Sequence, residues 1–175
     1  HLVAMPKTKD GLARTVGETH RQYSLYYGEK YEDAGTLWYD RFKSYAVDGE
    51  FLRAALRYVE GLPVRTGVCE RPDMFIWSSA RAHLDKAEPH PVLSGDMMVR
   101  RVVGDWIDLL ADIKQAESND NDRKDRSHSE DALISTHLST GRPLGNSTFL
   151  DTIEMTLGVS VRPKKRGRKP KAVIQ

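Results

Sequence analysis

The sequence predicts an α+β fold, and two kinds of segment lead to that prediction. Residues 1–5 contain the apolar run from Leu2 to Met5, which Pro6 ends, and residues 36–47 are rich in aromatic side chains, so we expect both segments to be strands. Other segments repeat apolar residues every three or four positions, which is the spacing of an amphipathic helix. A chain that mixes strands and helices without regular alternation is typical of the α+β class.

Two helices are expected in the first third of the chain. The first runs from Gly11 to about Tyr27, and the second from Gly49 to about Gly61, where Pro63 adds a stop signal. The first carries Leu12, Val16, His20 and Tyr23 on one stripe, and the second, capped by Asp48, carries Phe51, Ala55, Tyr58 and Leu62.

Two further helices are expected at about residues 77–84 and 95–115, and a proline-rich stretch separates them. Ser78 or Ser79 is a suitable N-cap for the first of these helices. Residues 117–129 contain many charges and no aliphatic or aromatic side chain, so we expect a linker there.

The segment after the linker is expected to be a small helical module. One helix runs from Glu130 to about Ser139, and another begins at Ser147 as its cap and ends before Gly158. Residues 140–145 form the turn between them. Two short helices joined by such a turn fit a helix-turn-helix unit that contacts DNA, and a packing unit without DNA contact is the alternative.

A basic tail follows, because residues 162–171 carry seven Lys and Arg and no acid. Such a run neutralises phosphates, and a solubilising tail is the alternative. Its Arg-Gly-Arg at 166–168 resembles the AT-hook, which inserts arginines into an A·T-rich minor groove, although Lys169 displaces the proline by one position. The tail residues expected to bind DNA are Lys164, Lys165, Arg166, Arg168, Lys169 and Lys171.

The composition excludes several classes of protein. The longest uninterrupted apolar runs are four residues, whereas a membrane-spanning helix needs about 20. The single Cys69 excludes an internal disulfide and a zinc site built on cysteine pairs, which favours a reducing cytoplasm. The chain begins at His1 without a signal peptide, and we expect it to be a fragment whose start is missing.

Five groups of residues stand in an order and at intervals that are specific for one family. They are His1-Leu2-Val3; Leu37-Trp38 with Arg41-Phe42; Leu56-Arg57-Tyr58-Val59-Glu60 with Pro63-Val64-Arg65; Trp77-Ser78-Ser79-Ala80-Arg81; and Gly141-Arg142-Pro143-Leu144-Gly145. Together they resemble the REP-associated tyrosine transposases, the single-tyrosine branch of the HUH nucleases, over most of the chain.

This resemblance implies a partial ferredoxin-like HUH nuclease domain, then a helical extension and a small helix-turn-helix-like module with a basic tail. It also implies a His-x-His pair that holds a divalent metal ion, Mg²⁺ or Mn²⁺, and a tyrosine nucleophile on a later helix. His1 matches the second histidine of the pair, and Tyr58 matches the nucleophile. Tyr23, Tyr26 and Tyr27 are rival positions for the nucleophile.

The implied reaction is transposition of single-stranded DNA at hairpin-forming repeats. The tyrosine attacks phosphorus and keeps a covalent 5′-phosphotyrosine link, which a 3′-hydroxyl later resolves. Leu62 stands where the family commonly has an asparagine near the metal, so either another ligand serves or this copy is decaying. Because the first histidine precedes His1, the fragment is expected not to cleave DNA by itself.

Further side chains are expected along the DNA. Trp38 and Phe42 are candidates for stacking on bases, although core packing is the simpler expectation for Trp38. Ordinary surface salt bridges are the alternative for the cations. Outside the tail, the cationic candidates are Arg41, Lys43, Arg57, Arg65 and Arg142.

The expected organisation has five parts. They are the C-terminal part of a transposase domain (1–90), a helical extension (91–116), a linker (117–129), a DNA-binding module (130–160) and an AT-hook-like tail (161–175). The expected partners are single-stranded or hairpin DNA and a second copy of the chain, at a bacterial nucleoid and away from membranes. The alternatives are a non-enzymatic DNA-binding remnant or regulator that uses residues 130–171, and a protein interaction module.

Overall fold

The architecture, given by a computed structural model, is built from helices. The structure describes residues 1–32, 35–85, 88, 90–93, 97–111, 113 and 130–163. The helices are α1 (Gly11–Tyr31), α2 (Gly49–Arg65), α3 (Ala80–His83), α4 (Met97–Val103), α5 (Trp106–Leu110), α6 (Glu130–Thr140) and α7 (Ser147–Leu157). A 3₁₀ turn at Pro72–Met74 precedes α3.

The α+β prediction is wrong, because the described residues form no β-sheet. Val47 and Leu144 make an isolated parallel bridge, and the rest of residues 1–5 and 36–47 is irregular. A strand is stable only when a neighbouring strand pairs its N–H and C=O groups, and aromatic content by itself does not supply that partner. A ferredoxin-like HUH domain is therefore not the architecture of the described chain.

Helix α2 is the centre of packing, since it contacts α4, α5, α6 and the 3₁₀ turn. Leu56 packs on one side of α2 and Ala55 on another, and each residue belongs to a different apolar cluster. The first cluster is built on Ala80, Val103, Leu109 and Leu110, and the second on Ala55, Ile134 and Leu144. Burying one large aliphatic side chain contributes about 1.5–3 kcal/mol, so these two clusters hold α2 in place.

Helix α2 continues beyond its expected end at Gly61, through Pro63 to Arg65. Val64 is only 1% exposed, and the N–H of Thr66 donates to the carbonyl of Leu62 at 2.9 Å. Burial of the last turn therefore outweighs the local stop signals.

The single helix expected over residues 95–115 is wrong, because the structure has two helices, α4 and α5. Gly104 adopts φ +70° between them, a left-handed conformation that suits glycine. The Asp105 carboxylate then accepts a hydrogen bond from the N–H of Ile107 at 2.7 Å and caps α5.

Helices α6 and α7 confirm the two helices expected near the C-terminus. Asn146, rather than Ser147, caps α7, and its side chain accepts a hydrogen bond from the N–H of Phe149 at 2.9 Å. Gly158 ends α7 at φ 67°, as expected. Ile134 of α6 is buried against α2, so residues of this module pack on the central helix.

Helix α1 confirms the first expected helix and extends it to Tyr31. No residue of α1 is buried. None of the helices in the described ranges has the length and apolar character needed to cross a bilayer.

Candidate active site

Tyr58 lies on α2 with its side chain half-buried in the second apolar cluster. The ring of His1 approaches the ring of Tyr58 edge to face, with ring centroids 6.1 Å apart and an angle of 87° between the planes. This is a favourable geometry for two aromatic rings. The segment at the start of the chain thus brings the predicted metal ligand beside the predicted nucleophile.

Arg65 lies two helical turns beyond Tyr58, on the same face of α2. Its guanidinium carbon is 4.8 Å from the centroid of the Tyr58 ring, which is a cation–π contact. Arg65 also donates a hydrogen bond through Nη2 to the backbone carbonyl of Tyr58. Pro63, which lacks an N–H, lies between the two residues in the same helix.

The charge of Arg65 is only partly compensated. Its Nη1 is 3.3 Å from a carboxylate oxygen of Asp131 on α6, and its buried Nε has no hydrogen-bond partner among the described residues. Burial lowers the pKa of Arg65 below its ordinary value, while Asp131 opposes that shift. A guanidinium remains charged in proteins, so a cation paired with Asp131 lies beside Tyr58.

Tyr45 is the second tyrosine of this cluster. Burial raises its pKa, and the nearby Tyr58 raises it further. Its ring also lies 6.0 Å from the ring of His137 on α6. Tyr45 therefore lines the site beside Tyr58. The same substitution at Tyr45 is a matched control for a substitution of Tyr58.

The described residues do not complete the expected metal site. His1 is exposed and Leu62 offers no ligand atom, and no three His, Cys, Asp or Glu side chains of the described ranges lie close enough to share an ion. The role of His1 as a ligand for Mg²⁺ or Mn²⁺ therefore stays a prediction.

Glu60, which stands in the motif Leu56-Arg57-Tyr58-Val59-Glu60 without a predicted role of its own, is 2% exposed and forms contacts with Ser79 and His83. Its Oε1 accepts a hydrogen bond from the Ser79 hydroxyl at 2.5 Å and lies 2.6 Å from Nδ1 of His83. The ring of His83 stacks on Trp106 at 3.8 Å. A signal was available, because Glu60 lies one helical turn from both Leu56 and Val64 and so falls on a buried stripe.

The other expected DNA contacts are distributed over the surface. Arg57 donates from Nε to the carbonyl of Leu109 at 3.1 Å, which gives it a packing role between α2 and α5. Arg41 and Lys43 are exposed in the irregular segment before α2, and Arg142 is exposed in the turn before α7. The tail cations Lys164, Lys165, Arg166, Arg168, Lys169 and Lys171, like the linker at 117–129, lie outside the described residues.

The aromatic candidates for base stacking lie apart from Tyr58, where they pack against α1. Trp38 stacks on His20 with ring centroids 3.9 Å apart, and Phe42 meets His20 edge to face at 6.4 Å. The rivals of Tyr58, which are Tyr23, Tyr26 and Tyr27, belong to the same group. Core packing, the simpler expectation for Trp38, is wrong because this side chain is exposed.

No known protein family matches the chain, and neither a curated protein nor a solved structure is significantly similar to it. Function is therefore inferred from the side chains around Tyr58 and from the order of the sequence motifs.

Proposed function

We propose that the protein is a DNA strand transferase that acts as the REP-associated tyrosine transposases do, with Tyr58 as its nucleophile and single-stranded hairpin DNA as its substrate. The observation that carries this proposal is the position of Tyr58 between His1 and Arg65. A phosphodiester is an anion, and a nearby cation attracts it and stabilises the charge that develops during phosphoryl transfer.

The proposed reaction conserves the number of phosphate ester bonds. The phenolic oxygen of Tyr58 attacks phosphorus, the bond from phosphorus to the 3′ oxygen breaks, and the proton lost by the phenol is balanced by protonation of that oxygen. The products are a free 3′-hydroxyl and a 5′-phosphotyrosine. Attack by the 3′-hydroxyl of another strand reverses the chemistry and restores the phenol, so no external energy source is needed.

Each neighbour of Tyr58 has a proposed role. Arg65 attracts the phosphate oxygens through the positive charge of its guanidinium, which it shares with Asp131, as their negative charge grows. His1, whose ring centroid lies 6.1 Å from that of Tyr58, is the proposed acceptor of the phenolic proton. By resemblance, His1 is also the candidate ligand for Mg²⁺ or Mn²⁺, so the test below includes removal of metal.

The test is covalent capture of DNA. The protein, expressed from its complete gene, is incubated with single-stranded hairpin DNA and Mg²⁺, Mn²⁺ or a chelator, and run on a denaturing gel. We expect a protein–DNA adduct that is absent in Tyr58→Phe and retained in the matched control Tyr45→Phe. We expect Arg65→Gln to slow adduct formation about 100- to 1000-fold, as is typical for loss of one charge-stabilising donor.

Two results would contradict the proposal. An adduct that persists in Tyr58→Phe would move the nucleophile to Tyr23, Tyr26 or Tyr27. No adduct under any condition, with DNA affinity intact, would favour the second candidate function described next.

The second candidate is a non-enzymatic DNA-binding remnant or regulator that uses residues 130–171. The favouring observation is that α6 and α7 are joined by a short turn, while Arg162 anchors the chain after α7 through Glu154 at 2.5 Å and Asp151 at 2.6 Å. The basic tail would then leave from a fixed point on α7. This candidate predicts affinity for DNA that falls steeply with salt and is unchanged in Tyr58→Phe, whereas a protein interaction module predicts no such affinity.

A further inference from the structure

A group of exposed and half-buried aromatic side chains lies on α1 and in the segment that follows it. We name this group, which consists of His20, Tyr23, Tyr26, Tyr27, Tyr31 and Trp38, the aromatic strip. Tyr23, Tyr26 and Tyr31 are 46%, 51% and 57% exposed. A contiguous exposed apolar surface is unfavourable in water and commonly marks an interaction site.

The rings of the aromatic strip form a connected and partly fixed series. Trp38 stacks nearly parallel on His20, at 3.9 Å and 11°, and its indole N–H donates to the hydroxyl of Ser24 at 3.0 Å. Tyr23 continues the series 6.0 Å from Trp38, and Tyr27 and Tyr31 are 4.6 Å apart by their centroids. Because Trp38 is held by stacking and a hydrogen bond, little side-chain entropy remains to be lost when a flat ligand binds.

Lys30 supplies a positive charge beside the rings of Tyr26 and Tyr31. The Nζ atom of Lys30 lies 5.4 Å and 5.3 Å from the ring centroids of Tyr26 and Tyr31, and it donates to the Tyr26 hydroxyl at 2.9 Å. Hydrogen bonds to these tyrosines raise the pKa of Lys30. At 3.6 residues per turn, Glu18 and Glu29 lie about 160–180° around the helix from Tyr27 and about 60–80° from Tyr26, so the acids lie beyond the Tyr26 edge of the strip.

We propose that the aromatic strip binds single-stranded DNA by stacking its bases on the rings, with Lys30 facing the phosphates. Proteins that bind single strands combine aromatic side chains with cations in this way. Stacking on aromatic rings suits every base, because each base has a π face, and this face of α1 presents aromatic rings with hydroxyl groups at their rims.

The role of the aromatic strip in catalysis rests on the proposed function, in which Tyr58 reacts with a DNA strand. Phe42 contacts His20 of the strip, and Tyr45 shares the apolar cluster of Tyr58. Three extended residues span about 10 Å, so Phe42 and Tyr45 lie near enough to lead one DNA strand from the strip towards Tyr58. The strip would hold the strand while Tyr58 reacts with it.

The test uses Trp38 as an internal reporter. A thymidine homopolymer of about ten nucleotides, within the range of known single-strand sites, is titrated into the protein while tryptophan fluorescence is recorded. We expect quenching that disappears in Trp38→Phe and persists in Trp77→Phe, because Trp77 is exposed outside the strip. We expect Tyr23→Leu to weaken the affinity about fivefold or more, and Tyr23→Phe to restore it.

The control for the helix itself is Leu25→Ala, since Leu25 is exposed on the other side of α1. Unchanged affinity in Tyr23→Leu, or quenching that persists in Trp38→Phe, would overturn the proposal. If Tyr23→Leu also abolished self-association of the chain, the strip would be a protein contact instead.

The two proposals fail in different ways. Tyr58→Phe should lose the covalent adduct and keep the quenching of Trp38. If the wild-type protein forms the adduct and shows no quenching, the proposed function stands and DNA binding by the aromatic strip is disproved. If it shows quenching and forms no adduct, DNA binding by the strip stands and the proposed function is disproved.

Discussion

Helices α1 and α2 differ in what surrounds them although the sequence predicts both by the same apolar spacing. Helix α1 has 21 residues and buries none, while α2 has 17 residues and buries Ala54, Ala55, Glu60, Gly61 and Val64. Helical periodicity therefore predicts that a helix forms, and it does not predict whether a partner covers its apolar face.

The two helices also depend on different interactions. In α1 most bonds are local, such as those from Arg21 to Glu18 and from the Ser24 hydroxyl to the carbonyl of His20, and Trp38 adds a bond from the segment that follows the helix. In α2 the bonds reach distant parts of the chain, as from Arg57 to Leu109. We expect α2 to melt with the whole fold, and α1 to depend on its own side chains and on the contacts that Trp38 and Phe42 make with His20.

The largest expected effect comes from removing a side chain that covers α2. Ile134 of α6 is buried in the cluster that contains Tyr58, so Ile134→Ala should lower the free energy of unfolding by about 2–5 kcal/mol. Urea denaturation followed by circular dichroism measures this change. Leu133→Ala, at an exposed position of the same helix, should change it by less than about 0.5 kcal/mol. Equal effects at both positions would mean that α6 does not dock on α2.

A pair of glycine substitutions compares the two helices directly. A Cβ at Gly61 would lie 2.7 Å from Cδ1 of Ile113 and 2.8 Å from Nη1 of Arg65, so Gly61→Ala should cost about 1–3 kcal/mol by overpacking. A Cβ at Gly17 meets no atom within 4 Å, so Gly17→Ala should stabilise α1 by about 0.5–1 kcal/mol. Thermal unfolding of both variants shows whether each substitution raises or lowers stability. Stabilisation by Gly61→Ala would mean that α2 is not tightly packed at this position and does not differ from α1 in that respect.

Local signals allowed the sequence to predict α1, α2, α6 and α7, whose apolar spacing or capping residues lie within one segment. The two predicted strands failed because pairing depends on residues far away in the chain. Trp38 packs on α1 and Tyr45 packs near α2, so aromatic residues that suggested a strand follow separate tertiary contacts. The break at Gly104 was readable, since a glycine followed by an aspartate is a common helix end and start.

The candidate site was predictable in part. The resemblance pointed to His1 and Tyr58, and the structure brings their rings together. The cation–π contact of Arg65 follows from helical spacing, because a residue seven positions further lies on the same face. The pairing of Arg65 with Asp131 was not predictable, because it depends on how α6 packs across α2.

Helix α7 extends the comparison, because it too buries no residue and so should depend on its cap. Asn146→Ala removes the hydrogen bond to the N–H of Phe149 and should cost about 0.5–2 kcal/mol. Ser147→Ala should be nearly neutral. The NMR chemical shifts of residues 147–157 measure the loss of helix in each variant. A larger loss in Ser147→Ala than in Asn146→Ala would mean that Ser147 is the cap, as the sequence predicts.

The smallest expected effect is a pH response confined to α1. Hydrogen bonds from Arg21 and then Gln22 lower the pKa of Glu18 from 4.5 to about 2. The ionised carboxylate therefore contributes stability above about pH 4.5, and this contribution is lost as the pH falls towards 2. The NMR chemical shifts of residues 15–25 should become less helical as the pH falls from about 4.5 to 2, both in the wild type and in the control Glu29→Gln. In Glu18→Gln the same shifts should be weaker at neutral pH and change less on acidification. If amide protection in α2 fell together with the α1 shifts, the two helices would be one cooperative unit, and the independence of α1 would be disproved.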